Sequence, residues 1–303
     1  MMMGGTLPIF LALTLFMGGC SVRQYVINRL GNAVASGGTT YSSDDDPELV
    51  RAAAPFSLKL MESLLAQSPR HHRLLLAASS GFTQYAFAFV GQEADEVEGR
   101  DLTAANALRE RARRLYFRAR DYGLRGLEVR YPGFISALHN NPQIAVSHTT
   151  EADVPLLYWT AASWGAVVSL SKNNPDLIAD VPVIEAMIDR ALQLDEDFDY
   201  GAIHTFLITY EMSRQGGQGD PAARAREHFN RAMELTDGFQ AAPLVALAEA
   251  VSVVRQDRAE FEALLGQALT IDINARPEWK LANLVMQSRA RWLLKHTHEL
   301  FAD

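Results

Sequence analysis

Apolar residues recur along most of the chain at three- and four-residue intervals, the period of an amphipathic helix. The two-residue alternation of a half-buried strand persists nowhere. The pattern is plainest where helices end. Residues 121–134 read as a helix running into an aromatic, proline and glycine corner at Tyr131, Pro132 and Gly133. Weaker copies return at 191–197, 232–238 and 268–274: a small residue, apolar residues one and three positions on, then a polar corner.

Such corners close the second helix of a tetratricopeptide-type hairpin, where the small residue lets neighbouring helices approach. Ala225, Phe229 and Ala232 repeat the small, aromatic, small spacing of that helix. The corners are unevenly spaced, which excludes a strict array of about 34-residue repeats. The predicted fold is therefore all-α: degenerate tetratricopeptide-like helical hairpins stacked into a compact α-solenoid, forming one helical-repeat domain over 46–303.

Hairpin by hairpin, Asp46, Pro47 and Glu48 predict a helix start, with Asp46 as cap, proline in the first turn and an acid favouring the dipole. The acids at 44–46 lack the spaced ligands of a calcium loop. Residues 37–43 read as a flexible lead. Helices over 49–65 and 73–90 turn at Ser68 and Pro69, and Phe82, Tyr85 and Phe89 share one face as core, with Gln84 able to face a cavity.

A helix over 104–128 carries seven arginines between Arg109 and Arg125. Arg111, Arg114, Arg118 and Arg125 form a solvated stripe. Arg109, Arg113 and Arg120 form a second one, and Arg113 and Arg120 lie between two apolar sectors. These need carboxylate or carbonyl partners, either in internal salt bridges or from an anionic ligand held by a guanidinium fork.

After an irregular stretch to Ala152, Asp153 and Pro155 predict a helix start that carries Tyr158, Trp159 and Trp164. The two tryptophans are about 140° apart on a helix. One of them should therefore line a groove, pore or subunit contact. Asp180 and Pro182 start a further helix in the same way. The acids at 195–199 read as a repeat corner, and His204 as a core histidine or, less simply, a ligand. The last hairpin and cap fall within 261–300.

Composition narrows the class. At 48% hydrophobic content over 303 residues the chain can bury a large core. Its net charge of −8 and pI near 5.5 argue against neutralising nucleic-acid phosphates. An apolar run at 7–16 is too short to anchor in a bilayer and suits a signal-peptide core. Gly18, Gly19 and the single cysteine, Cys20, follow it and resemble a bacterial lipobox. This resemblance implies a signal peptide over 1–19, a diacylglycerol on Cys20, and a lipidated N-terminus with flexible lead over 20–45. Ser21, rather than aspartate, implies sorting to the outer membrane of a Gram-negative cell.

No serine-nucleophile elbow, phosphate-cradling glycine loop or His-x-x-x-His pair is present, so nothing suggests an enzyme or a cofactor other than the lipid. The motifs at 43–50, 81–86, 118–126, 153–159 and 194–198, with the lipobox, together resemble the T component of tripartite ATP-independent periplasmic (TRAP) transporters. The resemblance covers essentially the whole mature chain. It implies a periplasmic, lipid-anchored homotrimer with a cavity or pore in each protomer. Its partner would be the solute-binding P component, and its cargo a small hydrophobic or organic-acid ligand. From helical geometry, the candidate ligand- or partner-binding residues are Gln84, Tyr85, Arg113, Arg120, Tyr158, Trp159, Trp164 and His204. The alternative is a structural outer-membrane assembly lipoprotein with a solid core and no small-molecule ligand.

Overall fold

The computed structural model describes residues 28–35, 38–214 and 216–302, and every regular element among them is helical. The signal segment and Cys20 lie outside the described residues. The longer helices are α1 (Pro47–Gln67), α2 (His72–Tyr85, continuing through Ala86–Gly91 into Gln92–Glu98), α3 (Leu102–Arg130), α4 (Val154–Ser169) and α5 (Val181–Leu194). They are followed by α6 (Phe198–Tyr210), α7 (Pro221–Leu235), α8 (Ala242–Leu247, continuing through Ala248–Ser252 into Val253–Arg255), α9 (Arg258–Thr270) and α10 (Lys280–Lys295).

Helix α1 begins as its letters predict: Asp46 Oδ1 accepts from the Glu48 and Leu49 backbone N–H groups at 3.1 and 3.0 Å. Phe82, Tyr85 and Phe89 are buried together on α2, which leaves Gln84 on another face. Helix α3 lies along both α2 and α4, α5 packs on α4, α6 on α7, and α9 on α10. One large apolar cluster joins α1, α2 and the middle of α3 to α8, α9 and α10, and a second joins the end of α3 to α4, α5 and α6. Glycine makes the α3–α4 contact possible. A Cβ on Gly123 would lie 2.0 Å from Thr160 Oγ1, and one on Gly126 2.7 Å from Leu156 Cδ2.

Several local expectations are corrected. Residues 38–42, expected as part of a flexible lead, form a short helix (Gly38–Ser42), and the Tyr41 hydroxyl hydrogen-bonds Ser57 Oγ at 2.5 Å. The stretch after Pro132 contains the helices Phe134–Asn140 and Pro142–Ser147, each too short to show a period; Asn141 caps the second by accepting from Ile144 N–H. Asp153 does not cap α4. Its fully buried carboxylate accepts from Thr150 N–H at 2.9 Å and the Tyr131 hydroxyl at 2.7 Å and pairs with Arg130 at 2.9 Å. Asp180 likewise makes no side-chain cap for α5 and instead accepts from Trp164 Nε1 at 3.1 Å. The corner expected at 195–201 is present, as a left-handed turn with positive φ at Asp199, Tyr200 and Gly201.

Candidate functional site

A cavity of about 1270 Å³ lies between α2, α3, α4, α5, α6, α8 and α10. Small side chains on α4 keep it open: Ala162, Gly165 and Ala166 all line it. Aromatic rings from α4 and α6 line it as well. Tyr158 meets Trp159 edge-on at 4.8 Å between centroids and Phe206 at 6.4 Å, and Phe206 stacks on Tyr210 at 5.4 Å. Phe87, Ile178 and Leu170 also line it and are 52%, 43% and 38% exposed, so large apolar side chains stand at its entrance.

Two π-helical segments shape this space. Ala86–Gly91 in α2 contributes Phe87 and Gly91, and Ala248–Ser252 in α8 contributes Glu249 and Ala250. A π turn holds one extra residue, which rotates the following side chains relative to an α-helix. In α2 the residues that follow are Gln92 and Asp95, both on the cavity wall. Helical periodicity in the sequence does not reveal such a turn, and these residues went unrecognised there.

They belong to a polar cluster at the cavity. Arg289 Nη2 pairs with Glu249 Oε1 at 2.6 Å and Asp95 Oδ2 at 2.9 Å, and its guanidinium lies 4.6 Å from the Trp292 ring centroid. Arg109 Nη2 reaches Asp95 at 3.3 Å and Glu98 at 2.6 Å. Burial alone would ease proton loss from Arg289, but the Glu249 and Asp95 carboxylates outweigh it and hold the guanidinium charged. Burial raises the Tyr116 phenol above its ordinary range, reinforced by the Asp95 charge, and that phenol stays protonated. Spacing did place Arg109 on a partly buried stripe, yet nothing local to the sequence pairs it with Arg289, 180 residues further on.

The candidates read from the sequence do not gather at one place. Gln84, Tyr158 and Trp159 line the cavity. Trp164 does not; it is 2% exposed and turns its indole N–H to Asp180. The 140° separation of the two tryptophans thus sends Trp159 to the cavity and Trp164 into the core. Tyr85 is buried beside Phe89 and accepts from Arg111 Nη2 at 3.4 Å. Arg113 grips Glu110 with Nε and Nη2 at 2.7 and 2.9 Å, one turn away on its own helix. Arg120 pairs with Asp121 at 2.8 Å while lying 4.7 Å from Phe117 and 5.0 Å from Trp164. Both arginines are thus internally paired, and neither lines the cavity. His204 is 5% exposed between α6 and α7, its Nδ1 2.8 Å from His228 Nδ1. Among the described residues no group of three or more histidine, cysteine or acidic side chains is placed to hold a metal ion.

A family model described as "TRAP transporter T-component" matches residues 43–301. A protein of Treponema pallidum (strain Nichols), described as an uncharacterized protein, is 32% identical over 270 residues, which cover 87% of this chain and 83% of the relative.

Proposed function

The chain belongs to the TRAP transporter T-component family, and from that premise we propose that it is a lipid-anchored periplasmic accessory protein that docks with the solute-binding P component of its transporter. Family membership implies a non-enzymatic role in association with a TRAP transporter. In this reading Cys20 carries the lipid that tethers the protein to the outer membrane, and the protomers assemble as a homotrimer. The helix pairs are degenerate tetratricopeptide-like hairpins, and the cavity passes a small hydrophobic or organic-acid ligand to or from the P component.

The observation that carries the ligand part is the aromatic-walled cavity of about 1270 Å³, a volume above the usual range for small-molecule pockets. A purely structural scaffold gains nothing from such a space, because unfilled volume weakens packing.

Mixing the protein with the solute-binding protein of its own transporter tests the docking. Light scattering should give a stoichiometric complex, and calorimetry should show that its affinity responds to a cavity ligand. Ala162→Trp, which fills the space from α4, should abolish the ligand response and leave the complex intact. No association at high micromolar concentration would instead favour an assembly scaffold.

A further inference from the structure

The polar cluster in the cavity contains buried hydrogen-bond donors that no neighbour receives. Gln92 Nε2 and Arg289 Nη1 are buried without a hydrogen-bond partner among the described residues. Gln92 is 9% exposed and Tyr116 6%, and the Tyr116 hydroxyl makes no hydrogen bond there either. All three residues line the cavity. They are grouped about Asp95. Gln92 precedes it by three positions and so shares its helical face, Arg289 pairs with it at 2.9 Å, and its charge acts on the Tyr116 phenol. Three helices therefore bring unused donors to one region.

The charge balance selects what those donors fit. Asp95, Glu98 and Glu249 stand against Arg109 and Arg289 in one connected set of ion pairs, three carboxylates to two guanidiniums. A carboxylate headgroup would meet a net negative field, because the two guanidinium charges are already outnumbered by carboxylates. An ammonium headgroup has no lone pair for an N–H or O–H donor to reach. A neutral carbonyl or hydroxyl oxygen accepts without adding charge.

We propose that the cavity binds a neutral ligand with an apolar body, whose carbonyl or hydroxyl oxygen accepts hydrogen bonds from Tyr116 and Gln92 beside Arg289, while the body lies against Trp159 and Phe206. This rests on the cavity being the ligand site, and it narrows the ligand class from organic acids to uncharged amides, ketones or alcohols.

The test is a matched pair of probes, 4-phenylbutanamide and 4-phenylbutanoate, titrated at pH 7 into the full chain held in lipid nanodiscs, with empty discs as the blank. Binding is read by calorimetry and by tryptophan emission. The amide should bind at least tenfold more tightly than the carboxylate. Tyr116→Phe removes a single hydroxyl and should cost the amide at least fivefold, with the carboxylate and the melting temperature unchanged. Gln92→Leu should reduce the amide preference further. Equal or tighter binding of the carboxylate overturns the headgroup assignment. If Lys172→Gln then abolishes it, the head sits at the exposed lysine on the cavity rim. An amide preference unmoved by both Tyr116→Phe and Gln92→Leu also overturns it. Blocking by Ala162→Trp in either case shows that the cavity itself still binds. Failure of both probes to bind the wild-type chain would remove the cavity reading along with the headgroup.

Discussion

Single residues in this molecule divide by what their neighbours permit, and glycine shows it best. Gly123 and Gly266 both sit inside helices, where alanine is the better helix former by about 1 kcal/mol. At Gly266 a Cβ would meet nothing within 4 Å, so Gly266→Ala should raise stability by about 0.5–1 kcal/mol. At Gly123 the same atom would collide with Thr160 Oγ1 and press on Ser79 Oγ, both buried. Overpacking of that kind costs about 1–3 kcal/mol and outweighs the propensity gain. Urea midpoints of the two variants should therefore move in opposite directions with unchanged slopes. Residue-level reading of the sequence succeeded where chemistry is local. Asp46 as a cap and the buried trio of Phe82, Tyr85 and Phe89 needed only spacing. It failed where the partner is distant, since Asp153 and Asp180 look like caps until Arg130, Tyr131 and Trp164 fold against them.

Between elements, the joint of α6 and α7 is titratable. His204 and His228 face each other across it, with Glu196 3.6 Å from His204 Nε2 and Arg231 paired to Glu196 at 2.8 Å. Burial lowers both imidazoles' pKa values, and the charge of His228 lowers that of His204 further. The unfolded chain takes up these protons near pH 6.5, about the ordinary histidine value, whereas the folded chain does so only at lower pH. Protons then favour the unfolded state, so this joint's contribution is complete above about pH 7 and declines as pH falls through 6.5. Thermal unfolding at pH 7.5, 6.5 and 5.5 should show a progressive loss, and His228→Gln should flatten it. Glu211 adds a separate loss at more acid pH. Burial opposes its ionisation, but hydrogen bonds from Arg224 and Arg214 prevail and hold its carboxyl below the usual range. Its stabilisation is thus present above the ordinary carboxylate pKa and lost as pH falls through the lower folded value. The existence of the longer helices was legible from period and capping letters, whereas Gly38–Ser42, Phe134–Asn140 and Pro142–Ser147 are too short to show a period. The π segments were not, because Ala86–Gly91 reads as an ordinary apolar helical run and only the surrounding packing sets its wider turn.

At the scale of the whole molecule, all-α architecture followed from composition and period, but the cavity did not. Its wall takes residues from seven helices spread between Thr83 and Arg289, a gathering that no local pattern announces. The π turns have a consequence best stated in terms of chain length. Each acts as a one-residue insertion absorbed without breaking its helix, so the cavity's chemistry depends on the count of residues as well as on their kinds. Inserting an alanine after Ala88 adds a residue beyond the one the wide turn already absorbs. With α2 still helical, it would swing Gln92 and Asp95 about 100° around the axis, carrying Asp95 away from Arg289. Deleting Ala88 should instead let the turn close to α geometry and spare both helix and binding. Circular dichroism of the insertion should keep its helical signal while probe binding disappears, as with a lock whose pins are all present but cut one step out of phase.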